Sequence, residues 1–136
     1  MEEFVVRPIG VVRSASKDPA DAPKQGALTG QEAEIVFDPA YLPALDGLDR
    51  DRGKIVVMCW MHRADRDRLK VHPRGLEDRP ERGVFSTRSP HRPNPISLHT
   101  VTLRSIEGNV LRVRGLDAIN GTPVVDIKSH SPELDG

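Results

Sequence analysis

The chain has 136 residues, the length of one domain built on a single hydrophobic core. Twenty Lys and Arg balance twenty Asp and Glu, so net charge alone points to no polyanionic partner. One cysteine excludes an intrachain disulfide framework, and no apolar run reaches membrane-spanning length. With Glu2 and Glu3 at the start and no apolar run behind them, a signal peptide is not expected, and the sequence reads as soluble and cytoplasmic.

Twelve prolines and eleven glycines cut the chain into short pieces. Phe4 to Val12 predicts a first strand, interrupted near Pro8 and Gly10. Residues Ser14 to Gly30 are polar and read as a long loop, of a length usually reserved for function or disorder. Ala33 to Phe37 predicts a second strand. Asp38 followed by Pro39 predicts an N-capped helical turn reaching toward Leu48.

Gly53 to His62 is apolar almost throughout and predicts a strand buried on both faces, with Cys59 inside it as a small hydrophobe. Asp65 to Lys70 is charged and expected at the surface, and Leu69 to His72 forms a short extended piece. Gly83 to Thr87 and Pro95 to Ile106 predict strands. Glu107-Gly108-Asn109 supplies a turn, Val110 to Leu116 the returning strand, and Pro123 to Ile127 the last. Many short strands with little helix predict a mainly β, closed or nearly closed sheet in one domain over residues 1–136.

Two segments carry chemistry. Ser86-Thr87-Arg88-Ser89-Pro90-His91-Arg92-Pro93-Asn94-Pro95 has three closely spaced prolines, which fix the backbone and exclude both helix and central strand. Its two arginines, histidine, asparagine and hydroxyls suit a carboxylate, a phosphate or a purine edge, and a stiff polar segment is preorganised for such a ligand. The alternative is a rigid exposed crossover. Arg114-Gly115-Leu116-Asp117, followed by Asn120-Gly121-Thr122-Pro123, is either a ligand-contacting loop or a plain turn.

Between Met61 and Arg104 ten Lys or Arg face five Asp or Glu, an excess that either meets phosphate or is a solvated surface. His62 and His72 lie ten residues apart and His91 and His99 eight, without the close pairing of a zinc motif, so no metal is expected. Nucleotide-binding glycine loops and nucleophile elbows are absent from the sequence as well.

The run from Arg82 to Ile96 resembles the motif of the TrmO family of tRNA methyltransferases. Ile9-Gly10-Val11-Val12-Arg13-Ser14 and Gly121-Thr122-Pro123-Val124-Val125-Asp126-Ile127-Lys128 extend the resemblance over most of the chain. It implies a single-sheeted β-barrel with a long N-terminal loop, a homodimer, and S-adenosylmethionine bound without a Rossmann sheet. The implied reaction is methylation of N6 of N6-threonylcarbamoyladenosine at position 37 of tRNA.

Carried over by position, cofactor contacts fall on Lys24, Gln25, Gly26, His62, Arg63, Arg88, Leu98, Arg114, Gly115, Leu116 and Asp117. Arg92 and Asn94 are expected at the substrate, with Arg92 on its threonyl carboxylate. His62 or His91 is the candidate base, histidine being the side chain that ordinarily titrates nearest neutrality.

Four positions depart from the family pattern: Ser97 for glycine, His99 for a small hydroxyl residue, Asn120 for aspartate, and Ser129-His130 for Pro-Tyr. The additional C-terminal region of longer members is expected to be missing. Three functions therefore stand open: a tRNA methyltransferase, a methyltransferase for a small molecule or another nucleoside, and a silent S-adenosylmethionine-binding protein.

Overall fold

The computed structural model describes residues 1–15, 31–48, 53–73 and 76–135. They form two compact units, one of residues 1–59 and 98–136, the other of residues 60–97.

The first unit is built on strands β1 (Gly10–Arg13), β2 (Glu32–Phe37), β3 (Lys54–Trp60), β6 (Ile96–Glu107), β7 (Val110–Arg114) and β8 (Pro123–Ser129). They close into a six-stranded barrel in the order β1-β2-β7-β6-β3-β8, and closure leaves no strand edge open. Every pair whose register is described is antiparallel.

Side-chain alternation makes the core. Val12, Ile35, Ile55, Val57, Leu111, Val113 and Val124 project inward and are at most 1% exposed. Cys59 joins them, as its apolar neighbours predict. Strand β3 is buried on one face only, which corrects the expectation of two buried faces: Ile55, Val57 and Cys59 are buried while Val56, Met58 and Trp60 are partly exposed. A barrel of this kind has one inside, so even an apolar run must turn alternate residues outward.

Three further expectations are corrected. The first strand starts at Gly10, not Phe4; Phe4 and Val5 are 83% and 90% exposed. Pro8 has no N–H for a ladder, and pairing begins only once Ile9 donates to the Val124 carbonyl at 2.8 Å. The returning strand ends at Arg114, because Gly115 takes φ +90°. The expected strand at Gly83 to Thr87 is a two-residue strand β5 (Arg82–Gly83) followed by a 3-10 turn, Val84–Ser86. Ser86 Oγ donates to the Gly83 carbonyl and Thr87 Oγ1 to the Val84 carbonyl, and such local bonds draw the backbone out of the extended state.

Other local readings match. Asp38 caps the 3-10 helix Pro39–Leu45 by accepting from the Ala40 amide at 3.0 Å. Gly108 and Asn109 form the two-residue loop of the β6–β7 hairpin, with Gly108 at φ +60° as a primed turn requires. Outside the barrel ring, Glu34 bonds Arg13 at 2.9 Å and Arg112 at 3.4 Å. The Arg13 hydrogen bond above all holds the Glu34 carboxyl below its ordinary range.

In the second unit, β4 (Lys70–Val71) pairs with β5, over buried Val71 and Val84. The charged stretch from Asp65 to Lys70 is exposed, as expected. Among the described residues no helix is long and apolar enough to cross a membrane, and no group of three or more His, Cys, Asp or Glu is placed to hold a metal ion.

Candidate functional site

Lys24, Gln25 and Gly26 lie outside the described residues. The other candidates fall into two groups, each within one unit.

In the 60–97 unit, the proline-rich segment is braced by side chains rather than by a ladder. Thr87 Oγ1 accepts from the Ser89 amide and Ser89 Oγ from the His91 amide, each at 3.2 Å. Arg92 Nη1 donates to the carbonyls of Thr87 at 3.2 Å and Ser89 at 2.8 Å, so part of the guanidinium expected at the substrate is spent on folding this segment. Arg66 braces the far end: Nε donates to the Pro93 carbonyl at 2.8 Å and Nη2 to Asn94 Oδ1 at 3.5 Å. Its guanidinium also lies 5.0 Å from the centroid of the Trp60 ring.

Arg88 takes no part in this bracing. Its side chain is exposed, and among the described residues no hydrogen bond or ion pair engages it. A flexible cation is thus carried on a rigid backbone. Nearby in sequence, His62 and Arg63 follow β3 and are exposed.

His91 is oriented by a tertiary bond. Its Nδ1 accepts from the Asp65 amide at 2.9 Å. An N–H donor requires an unprotonated acceptor, so the neutral ring carries its proton on Nε2. His91 is therefore set up to donate from Nε2. The lone pair a base would use is already occupied.

In the barrel unit, Leu98 on β6 is 56% exposed, an apolar surface where a polar one is the rule. Arg114 ends β7 and reaches Glu32 at 3.5 Å through Nη2, while its Nε is buried with no hydrogen-bond partner among the described residues. A buried donor left this way is costly, and a ligand oxygen would satisfy it. Gly115 donates its amide to the Gln31 carbonyl, and Leu116 is buried. Asp117 is half-buried, and the burial raises its carboxyl above the ordinary range. A partly dehydrated carboxyl is a strong acceptor for hydroxyl or amino groups.

Two of the departing positions, Asn120 and Ser97, find ordinary roles. Asn120 Oδ1 accepts from the Ser14 amide at 3.1 Å, a task an aspartate oxygen would also perform. Ser97 Oγ approaches Met61 Sδ at 3.3 Å.

Sequence reasoning missed Arg66 and Asp65. Their bonds to Pro93 and His91 span 27 and 26 residues, and no local pattern announces such a contact.

The described residues define a closed six-stranded β-barrel and, in the 60–97 unit, a braced proline-rich segment. The family model of the tRNA-methyltransferase O N-terminal domain matches residues 11–136, and the chain belongs to this TrmO family. A probable S-adenosyl-L-methionine-binding protein of Methanothermobacter thermautotrophicus is 50% identical over 98% of this chain and 94% of its own. An S-adenosyl-L-methionine-binding protein of Archaeoglobus fulgidus is 47% identical over 97% of this chain and 93% of its own. The crystal structure of TrmO from Pseudomonas aeruginosa superposes with a TM-score of 0.81 at 30% identity, covering all of this chain. This chain spans 58% of the length of that TrmO.

Proposed function

We propose that this chain transfers a methyl group from S-adenosylmethionine to N6 of N6-threonylcarbamoyladenosine at position 37 of tRNA. The observation that carries the cofactor assignment is the buried Nε of Arg114, which has no hydrogen-bond partner among the described residues, three positions before the half-buried carboxyl of Asp117. A buried donor in need of an acceptor and a partly dehydrated carboxyl fit a ligand with both a carboxylate and hydroxyls. The proposed contacts are His62, Arg63, Arg88, Leu98 and the run Arg114 to Asp117, together with Lys24, Gln25 and Gly26.

When bound, the cofactor supplies a methyl group already activated by the sulfonium. The protein then has to orient the acceptor nitrogen and take its proton. His62 is the proposed base, because the neutral His91 ring already uses its Nδ1 lone pair. His91 instead offers an Nε2–H to an acceptor oxygen. Arg92 and Asn94 are proposed at the substrate: Arg92 with the guanidinium nitrogens other than Nη1, Asn94 as an exposed amide held by Arg66.

A second reading, a protein that binds the cofactor without transferring its methyl, is favoured by the archaeal relatives, which are named as S-adenosyl-L-methionine-binding proteins. The test is incorporation of label from methyl-tritiated cofactor into tRNA with and without threonylcarbamoyladenosine. Incorporation confined to the modified tRNA supports the transferase. Cofactor binding without incorporation leaves the second reading.

A further inference from the structure

Phe85 is out of place by the ordinary rule of burial. Its side chain is 79% exposed, although phenylalanine is among the most often buried residues. The ring is not there for want of support. It sits mid-turn between Val84, which is 2% exposed and roots the turn, and Ser86, which donates to the Gly83 carbonyl. The Val84 amide donates to the Leu69 carbonyl at 2.9 Å, and the Thr87 amide to the Val84 carbonyl at 3.1 Å. These bonds fix the backbone on both sides of Phe85 and hold the ring in solvent.

A cation stands next to it. The Arg92 guanidinium carbon is 6.0 Å from the ring centroid, and Arg92 is itself fixed by the Thr87 and Ser89 carbonyls. The segment 60–97 as a whole carries nine Lys or Arg against five Asp or Glu, while the entire chain is neutral. Positive charge is thus concentrated in the unit that displays the ring.

An exposed, rigidly mounted ring with a fixed cation in a basic unit is the arrangement by which proteins hold unpaired nucleic acid. Bases stack on the aromatic face while cations meet the backbone. The cation beside the ring and the net positive charge of this unit favour a polyanion. We infer that Phe85 is a stacking platform for an unpaired RNA base, flanking the one that is modified. This rests on the tRNA reading above and adds to it the residue that grips the loop.

The test uses the full chain as wild type, Phe85→Ala, Phe85→Leu and Phe85→Trp. Fluorescence anisotropy measures affinity for a labelled RNA hairpin with an unpaired loop, and calorimetry measures affinity for S-adenosylmethionine. Phe85→Leu keeps apolar bulk and removes the stacking face, and a circular dichroism melt confirms that each variant is folded. The expected result is RNA binding weakened roughly fivefold to a hundredfold in the Ala and Leu variants, the loss of about one stacked base. Phe85→Trp restores binding, its fluorescence is quenched by the RNA beyond any change from Trp60, and cofactor affinity is unchanged in all variants.

Unchanged RNA affinity in the Ala and Leu variants overturns the inference. So does an equal loss of cofactor affinity, or a shift in oligomeric state by light scattering, which would make the ring a contact between copies. If the wild type binds cofactor but no RNA, the tRNA reading itself falls, and this inference with it.

Discussion

Replacing Gly10 by alanine tests the barrel closure at the one described glycine where an added Cβ would meet other atoms within 4 Å. Gly10 opens β1 between Phe37 of β2 and Val124 of β8. A Cβ built there would lie 2.7 Å from the Val36 carbonyl oxygen, 3.2 Å from Phe37 Cα and 3.3 Å from the Val36 carbonyl carbon. All three are backbone atoms of a paired strand, so no rotamer change relieves the clash. Glycine is needed here for its missing Cβ, since its φ is not among the positive ones. Overpacking of this kind costs about 1–3 kcal/mol. The reduced freedom of alanine in the unfolded chain returns roughly 0.4–1 kcal/mol. The net loss is about 1–2 kcal/mol, which for a domain of this size lowers the melting temperature by roughly 3–10 °C.

Gly83 is the matched control: a strand glycine at φ −59°, with nothing within 4 Å of its built Cβ. Gly83→Ala keeps only the unfolded-state gain, about 0.4–1 kcal/mol of added stability. Urea unfolding followed by far-ultraviolet circular dichroism compares the two. Gly10→Ala as stable as wild type, or Gly83→Ala losing as much as Gly10→Ala, would refute the steric argument.

Two more predictions concern the Asp117 carboxyl and the His91 ring. Burial raises the Asp117 carboxyl above its reference of 3.8, so the folded state holds that proton more tightly than the unfolded one. Its contribution therefore worsens as pH rises from 3.8 through the folded value and is a constant penalty above it. Asp117→Asn should flatten that portion of the stability–pH curve and leave the protein at least as stable at neutral pH. A variant distinctly less stable there would show that the carboxylate is compensated. For His91, long-range proton–nitrogen NMR should find the neutral ring protonated at Nε2, and His91→Asn, which keeps an acceptor near the Nδ1 position, should hold the Asp65 turn better than His91→Ala. A proton found on Nδ1 would contradict the assignment.

Much of the barrel could be read locally. The Asp38 cap, the Gly108-Asn109 turn and the alternation of β2 are short-range signals, and each appears where the chemistry of a few neighbours requires it. The errors fall where a longer-range or competing interaction decides. Valines and Ile9 predict a strand from Phe4 to Val12 with an interruption near Pro8 and Gly10, but Pro8 cannot join the ladder and pairing starts only beyond it. The Val-Phe-Ser-Thr run has strand composition, yet the Ser86 and Thr87 hydroxyls turn it and put Phe85 into solvent.

The proline-rich segment stood out as a candidate because its motif is long and unusual, whereas the other proposed contacts come from the family resemblance. The division of labour within the segment was not legible. That Arg92 folds the segment while Arg88 takes no part, and that His91 is locked by Asp65, follows from contacts between residues distant in sequence or in carbonyl positions no pattern records.

The most direct test of the central claim is a calorimetric titration of the purified chain with S-adenosylmethionine, repeated with Arg88→Ala. Arg88 is exposed and supports no described contact, so its removal should change stability by no more than about 0.5 kcal/mol. Saturable one-site binding is expected in the wild type, at ~1–100 μM or tighter, with its loss in the folded variant. No binding at millimolar cofactor, or binding that Arg88→Ala leaves untouched, would contradict the claim.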